Sequence, residues 1–429
     1  MTELAAQHMR NLRHRLRRDG AAANADDPEL SGWKHRLWCL SVVLVVVAGA
    51  VLGPGVAGAV FKATTSNGSS SFTAAAAFQL LALYGWGKNA EGQMGQGNVG
   101  SPVTAPQKVG TATNWRSASS GLTHACAVQT DDTLWCWGGN ADGQLGRGNV
   151  VTPQTTPIQI PGVWQTVGAG YKHTCAIKTD ATLWCWGNNG TGAVGDGGIV
   201  DVTSPTLIAG AGWTTVAGGA DHTCGTQSDG TLWCWGVNSS GAIGQGNVAS
   251  GYRTPTRVGA ADWRSVTVGW GSSCGLKTDN TLWCWGDNTE AQLGRGGRSN
   301  SETTPALVNG TGNWRTVHAG FYHQCAIKHD NTLWCWGNNT TGQLGRAGTS
   351  DFEGTAAQVG GAVWSTVGGG SGHTCGIQTD NTLWCWGTNS SGQLATGDVT
   401  SRSTPTKVTA TTPWQYIATG KGDETFAIR

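Results

Sequence analysis

Residues 175–187 read CAIKTDATLWCWG, two cysteines with nine residues between them on either side of a tight-turn signal, Thr179-Asp180-Ala181. Taken as a three-residue hairpin loop whose last position is left-handed, this turn sets Lys178 opposite Thr182 and Cys175 opposite Cys185. Counting outward puts the cysteines at a non-hydrogen-bonded pair, where Cα atoms about 4.5 Å apart are within reach of a disulfide. The same register sets Ala176 against Trp184 and Ile177 against Leu183. The stretch is therefore read as a stapled β-hairpin.

The stretch is one of six. Cys126 with Cys136, Cys175 with Cys185, Cys224 with Cys234, Cys274 with Cys284, Cys325 with Cys335 and Cys375 with Cys385 use twelve of the thirteen cysteines at one spacing, and each pair is expected to form a disulfide. A first tryptophan series comprises Trp115, Trp164, Trp213, Trp263, Trp314, Trp364 and Trp414. A second, always followed by glycine, comprises Trp86, Trp137, Trp186, Trp235, Trp285, Trp336 and Trp386. The period is 49 to 51 residues. The array begins on a second-series tryptophan and ends on a first-series one, so one repeat must combine the two ends of the chain. In that repeat Gly85 and Phe426 stand where the cysteines belong, and both sulfurs are lost together, as an in-repeat disulfide requires. A period near 50, short β-like runs and matching prolines such as Pro106 and Pro157 suit outer-edge strands of propeller blades better than a helical solenoid.

These features predict an all-β fold: a seven-bladed β-propeller of four-stranded blades over residues 78–429, with one blade shared between the N- and C-terminal strands. Gly (68 residues) and Trp (23) far exceed ordinary usage, while charged residues are only 12%. Upstream, residues 1–36 carry a basic cluster including Arg10, Arg13, Arg15, Arg17 and Arg18. Residues 37–60 hold no charge, and residues 61–77 read as a flexible linker. An uncharged run of this length beside a basic flank predicts a signal peptide or a transmembrane anchor helix, with the basic part cytoplasmic and the remainder exported. Cleavage is favoured over retention by the helix breakers at Gly53-Pro54-Gly55 and the small residues that follow. Paired cysteines agree with an oxidising, extracellular or cell-surface compartment. Without residues 1–71 the chain has 19 basic and 21 acidic residues, which gives no basic surface for nucleic acid.

The recurrent W-G-x-N-x-x-G-Q-L-G run, as in HTCAIKTDATLWCWGNNGTGAVGDG at 173–197 and HQCAIKHDNTLWCWGNNTTGQLGRAG at 323–348, resembles the regulator of chromosome condensation family. With an export segment, the chain looks like a secreted, bacterial-type member. The resemblance implies a seven-bladed propeller. It leaves function open, since the family includes a nucleotide exchange factor acting on a nuclear GTPase, ubiquitin-ligase modules and secreted bacterial inhibitors of β-lactamase.

No catalytic, cofactor or metal site is expected. Nine residues between strand cysteines is not a structural zinc spacing. His124, His173, His222, His323 and His373 recur at one place in five repeats, with Ser272 in a sixth, which marks a framework hydrogen-bonder rather than a catalyst. Function is sought in what varies beside them. Tyr171, Trp270, Phe321 and Tyr322 precede this position, on what would be one propeller face. They suit either partner anchoring or packing between blades. The expectation is a non-enzymatic extracellular protein-binding propeller, an inhibitor or adaptor for another exported protein, with a glycan as the second partner class and a membrane met only through an uncleaved leader. The alternatives are an exchange-factor-like regulator as in the founding member and, below it, a cell-wall-acting enzyme.

Overall fold

The computed structural model describes residues 63–64, 71–72, 81–100, 102–310, 312–410 and 412–429. The chain divides into two units, residues 1–79 and 80–429. Within the first, Ala63–Thr64 pairs antiparallel with Ser71–Phe72. The leader and anchor expected over residues 1–60 lie outside the described residues. Among the described residues there is no helix, and hence none long and apolar enough to cross a membrane.

The second unit is a propeller-like array of antiparallel sheets. Five have four strands and one has seven. In the four sheets of four strands built from continuous chain, consecutive strands run from innermost to outermost, for example Trp164–Ala169, His173–Lys178, Leu183–Gly187 and Val202–Ile208. The seven-stranded sheet arises because one strand, Ser350–Gly369, is shared by two such units. Its first half is the outer strand beside Thr332–Asn339, and its second half is the inner strand beside His373–Gln378. One sheet combines the chain ends. It pairs Tyr416–Thr419 and Glu424–Ile428 with Leu83–Gly87 and Val103–Lys108. The prolines at 106, 157, 205, 255, 305 and 405 all fall in outermost strands, where a missing N–H donor costs no ladder bond to a further strand.

Hairpin chemistry sets the register of each unit. Lys178 N donates to Thr182 O at 2.9 Å, and Ala181 takes φ 63°. Cys175 faces Cys185, Ala176 faces Trp184 and Ile177 faces Leu183. The exposed Asp180 accepts from the amide and the hydroxyl of Thr182, which hold its carboxyl below the usual carboxylate range. Thr182 in turn accepts from Trp184 Nε1 at 2.9 Å.

The same facing positions carry a disulfide in every unit built from continuous chain. Cys126 is bonded to Cys136, Cys175 to Cys185 and Cys224 to Cys234. Cys274 is bonded to Cys284, Cys325 to Cys335 and Cys375 to Cys385. The Cα–Cα separations of 4.1 to 4.2 Å are those of close cross-strand pairs, and all twelve cysteines are fully buried. In the combined sheet Phe426 faces Gly85. The Phe426 ring fills that core volume, edge-on to Trp137 at 5.9 Å.

The W-G-x-N-x-x-G-Q-L-G run forms the joint between neighbouring units. Asn140 Oδ1 accepts from Leu145 N at 3.0 Å, curling the loop so that Gln144 O points into the next unit. There it accepts from Trp186 Nε1 at 2.9 Å and from Thr174 Oγ1 at 2.8 Å. Gly146 (φ 72°) lies so close to this indole that a Cβ would come within 2.7 Å of Nε1, which accounts for the glycine after Leu145. Trp186 also meets Trp164 edge-to-face at 5.9 Å, and both are buried. The hydrophobic effect drives this burial, and the indole bonds set its register.

Candidate functional site

A belt of side chains surrounds the central channel. His124 Nε2 lies 2.8 Å from Thr174 Oγ1, and His173 Nε2 lies 2.8 Å from Thr223 Oγ1. His222 meets Ser273 at 3.1 Å, His323 meets Thr374 at 2.9 Å and His373 meets Thr425 at 2.9 Å. Each of these hydroxyls donates its own hydrogen to a carbonyl in the preceding unit, as Thr223 does to Ala193 O and Thr425 to Gln393 O. The hydroxyl must therefore accept from the histidine, which fixes the Nε2–H tautomer. Burial holds His124, His222 and His323 at a pKa of about 3, and His173 and His373 at about 4. They join neighbouring units as neutral side chains and are unsuited to proton transfer near neutral pH.

The belt changes in two units. Ser272 takes the histidine position in one and accepts from Gln324 Nε2 at 3.3 Å. In the combined sheet the position belongs to Glu424, which faces Gly87 as His173 faces Gly187. Burial pushes its carboxyl well above the usual range, with Asp423 adding to the shift. Sequence comparison missed Glu424 because Gly420-Lys-Gly-Asp-Glu has one residue more than the Gly-x-x-His of the other repeats. The signal was available as the glycine that opens each copy.

That glycine is dictated by the ring beside it. A Cβ on Gly370 would lie 2.1 Å from His373 Cε1, and one on Gly320 would lie 2.3 Å from His323 Cε1. Gly370→Ala is expected to destabilise the fold by about 3 kcal/mol or more, since neither backbone nor ring has room to yield. In the double variant with His373→Ala the loss should fall short of the sum of the single losses by about 1 to 3 kcal/mol. Urea unfolding of the four proteins measures this, and strict additivity would contradict the packing account.

The two residues after this glycine form the mouth of the channel. Backbone bonds link them from unit to unit: Leu122 N to Tyr171 O at 3.0 Å, Tyr171 N to Gly219 O at 2.8 Å and Trp270 N to Phe321 O at 3.1 Å. Similar bonds run from Phe321 N to Gly370 O, Ser371 N to Gly422 O and Lys421 N to Ser120 O. Tyr171, Trp270 and Phe321 come from three different units, yet their rings lie 5.0 to 5.9 Å apart. Trp270 and Phe321 come from adjacent units, and Tyr171, two units from Trp270, reaches both across the mouth. Tyr322 packs beside Trp270 at 6.3 Å and Phe321 at 6.2 Å. All four are half-buried. Burial, then Asp287 and Glu290, raise the Tyr322 hydroxyl above its ordinary value, so acidic groups flank the aromatic cluster. Asp221, raised by burial against the opposing pull of Lys172, adds a third.

The repeat description "Regulator of chromosome condensation (RCC1) repeat" matches residues 82–128, 131–177, 180–225, 279–327 and 380–422. A second form of the same repeat matches six segments from 115–144 to 364–393. Among curated proteins, the probable E3 ubiquitin-protein ligase HERC6 of Homo sapiens is 31% identical over 80 residues. Those residues are 18% of this chain and only 8% of that protein. Prp20p of Saccharomyces cerevisiae, described with its binding to Gsp1p and histones, superposes with a TM-score of 0.75 at 19% identity, over 82% of this chain and 92% of that one. Human WBSCR16 gives a TM-score of 0.72 at 19% identity, over 81% and 98%.

These matches correct several expectations. The likeness runs to eukaryotic RCC1 proteins, not to a secreted bacterial-type propeller. The extracellular or cell-surface location, and the role as a binder or inhibitor of another exported protein, are overturned with it. The signal and transmembrane assignments fall on residues outside those described and gain no support from these matches; among the described residues no helix is long and apolar enough to cross a membrane. With its repeats matched over more than half its length, the chain belongs to the regulator of chromosome condensation (RCC1) repeat family.

Proposed function

We propose that this protein is a regulator of the guanine nucleotide exchange factor kind, built on seven blades, which holds a protein partner against the aromatic mouth of its channel. Reading the seven-stranded sheet as two blades fused through Ser350–Gly369 supports the blade count. The observation that carries the function is the convergence of Tyr171, Trp270, Phe321 and Tyr322. Clustered, half-buried aromatics concentrate binding energy because little side-chain freedom remains to be lost on docking. That Prp20p is described with Gsp1p and histones supports a protein partner and suggests Gsp1p as the probe.

The test is calorimetric titration of the full chain with Gsp1p. Trp270→Ala is expected to weaken binding by tenfold or more, whereas Lys407→Ala, at the exposed end of an outermost strand, should leave it unchanged. Binding that ignores Trp270→Ala would remove this face from the account.

A further inference from the structure

Below the aromatic mouth the channel encloses a cavity of about 230 Å³, lined by the innermost strand of every unit. Among the described residues its lining contains no carboxylate, and Lys421 is its one formally charged side chain. Lys421 leaves the combined sheet and crosses the channel to donate to Val268 O, on the innermost strand Trp263–Val268. An ammonium carries three donors, and Val268 O is its one hydrogen-bond acceptor among the described residues. Lys421 also forms none of the ion pairs found among the described residues.

The remaining polar groups around the cavity add donors. Ser119 Oγ accepts from Ala169 N at 2.9 Å and Thr267 Oγ1 accepts from Ala319 N at 3.1 Å, so both hydroxyl hydrogens stay available. His318, which burial and then Lys421 hold neutral at about 4, supplies one ring N–H. Tyr416 also lines the cavity, but its hydroxyl hydrogen is already given to Ala118 O at 3.0 Å. A buried cation with unused donors and no counter-charge is costly in a cavity of low dielectric, and a small anion removes that cost.

We propose that the channel is a binding site for a small inorganic anion, held by the Lys421 ammonium with the Ser119 and Thr267 hydroxyls and the His318 ring as further donors. Lys421 joins the mouth through its backbone and the cavity through its side chain, and the proposal does not depend on the partner-binding reading.

The experiment uses the full chain in solution. Site binding should broaden the chloride-35 resonance beyond the bulk value, and bromide or inorganic phosphate should reverse the excess. Lys421→Arg should keep the effect, and Lys421→Met, which preserves length without charge, should weaken binding at least tenfold. A crystal of the unaltered protein grown in sodium bromide should show an anomalous peak beside Lys421 Nζ, which tests the site even if Lys421→Met does not fold. Absence of both excess broadening and the bromide peak, or wild-type affinity in folded Lys421→Met, would overturn the proposal.

Discussion

Between pH 6 and pH 5 the protein is expected to lose on the order of 5 to 10 kcal/mol of stability, enough to bring a fold of ordinary stability to its midpoint. The cause is six buried histidines. His124, His222 and His323 are held at about 3, and His173, His318 and His373 at about 4, burial being the largest cause in every case. In the unfolded chain each titrates near 6.5. A folded pKa below the unfolded one means that the unfolded state takes up protons first. The histidine contribution is therefore complete above about pH 6.5 and falls as pH drops toward 4, by roughly 1.4 kcal/mol per pH unit for each group. The turn aspartates, such as Asp180 and Asp330, are also lowered, and they add their loss only below the carboxylate range. Glu424 opposes them, because its raised pKa favours the folded state in acid. Urea midpoints measured from pH 7 to pH 5 should fall steeply, and His373→Gln should flatten the curve by about one proton's worth. A midpoint independent of pH over this range would show that the histidines are not buried neutral.

Reduction of the disulfides is expected to have an effect of similar size. Each bridge closes a hairpin with a sequence separation of 10, worth about 2 to 3 kcal/mol through the unfolded chain. Six of them contribute on the order of 10 kcal/mol even after allowance for non-additivity. All twelve sulfurs are buried, so a reductant reaches them only when the fold opens. The folded protein should keep its bridges for hours in neutral phosphine reductant, as read by mass. Protein reduced in denaturant should fail to regain its near-ultraviolet signal once the denaturant is removed. Reduced protein that melts within a few degrees of the oxidised form would contradict this. The sheet that joins the chain ends, with Phe426 against Gly85 and no bridge, should open first.

The strand pattern was legible in the chain because its determinants are local. A turn of three residues, two cysteines and alternating burial set the pairing of Cys175 with Cys185, and the repeat count required that Leu83–Gly87 pair with residues from the C-terminus. The histidine position could be recognised as structural from its recurrence. Its partner could not, since Thr174 lies fifty residues from His124 and only the curvature of the ring brings them together. The aromatic residues could be placed on one face, but their contact across the axis depends on channel width, which no local pattern encodes. Lys421 was hidden for the same reason: its acceptor, Val268 O, lies 153 residues away in sequence. The export reading failed differently. It rested on composition in a part of the chain whose neighbours in space sequence cannot supply, whereas the propeller reading rested on spacing repeated across the array.

The central claim, that the aromatic mouth engages a partner whose nucleotide is released, is tested most directly by the release of fluorescent GDP from a nuclear GTPase of the kind the family's exchange factor acts on, in stopped flow. The account predicts that the full chain accelerates release in proportion to its concentration, and that Trp270→Ala and Phe321→Ala each reduce the acceleration tenfold or more at unchanged melting temperature. Release at the unassisted rate in the presence of saturating wild-type protein would contradict it.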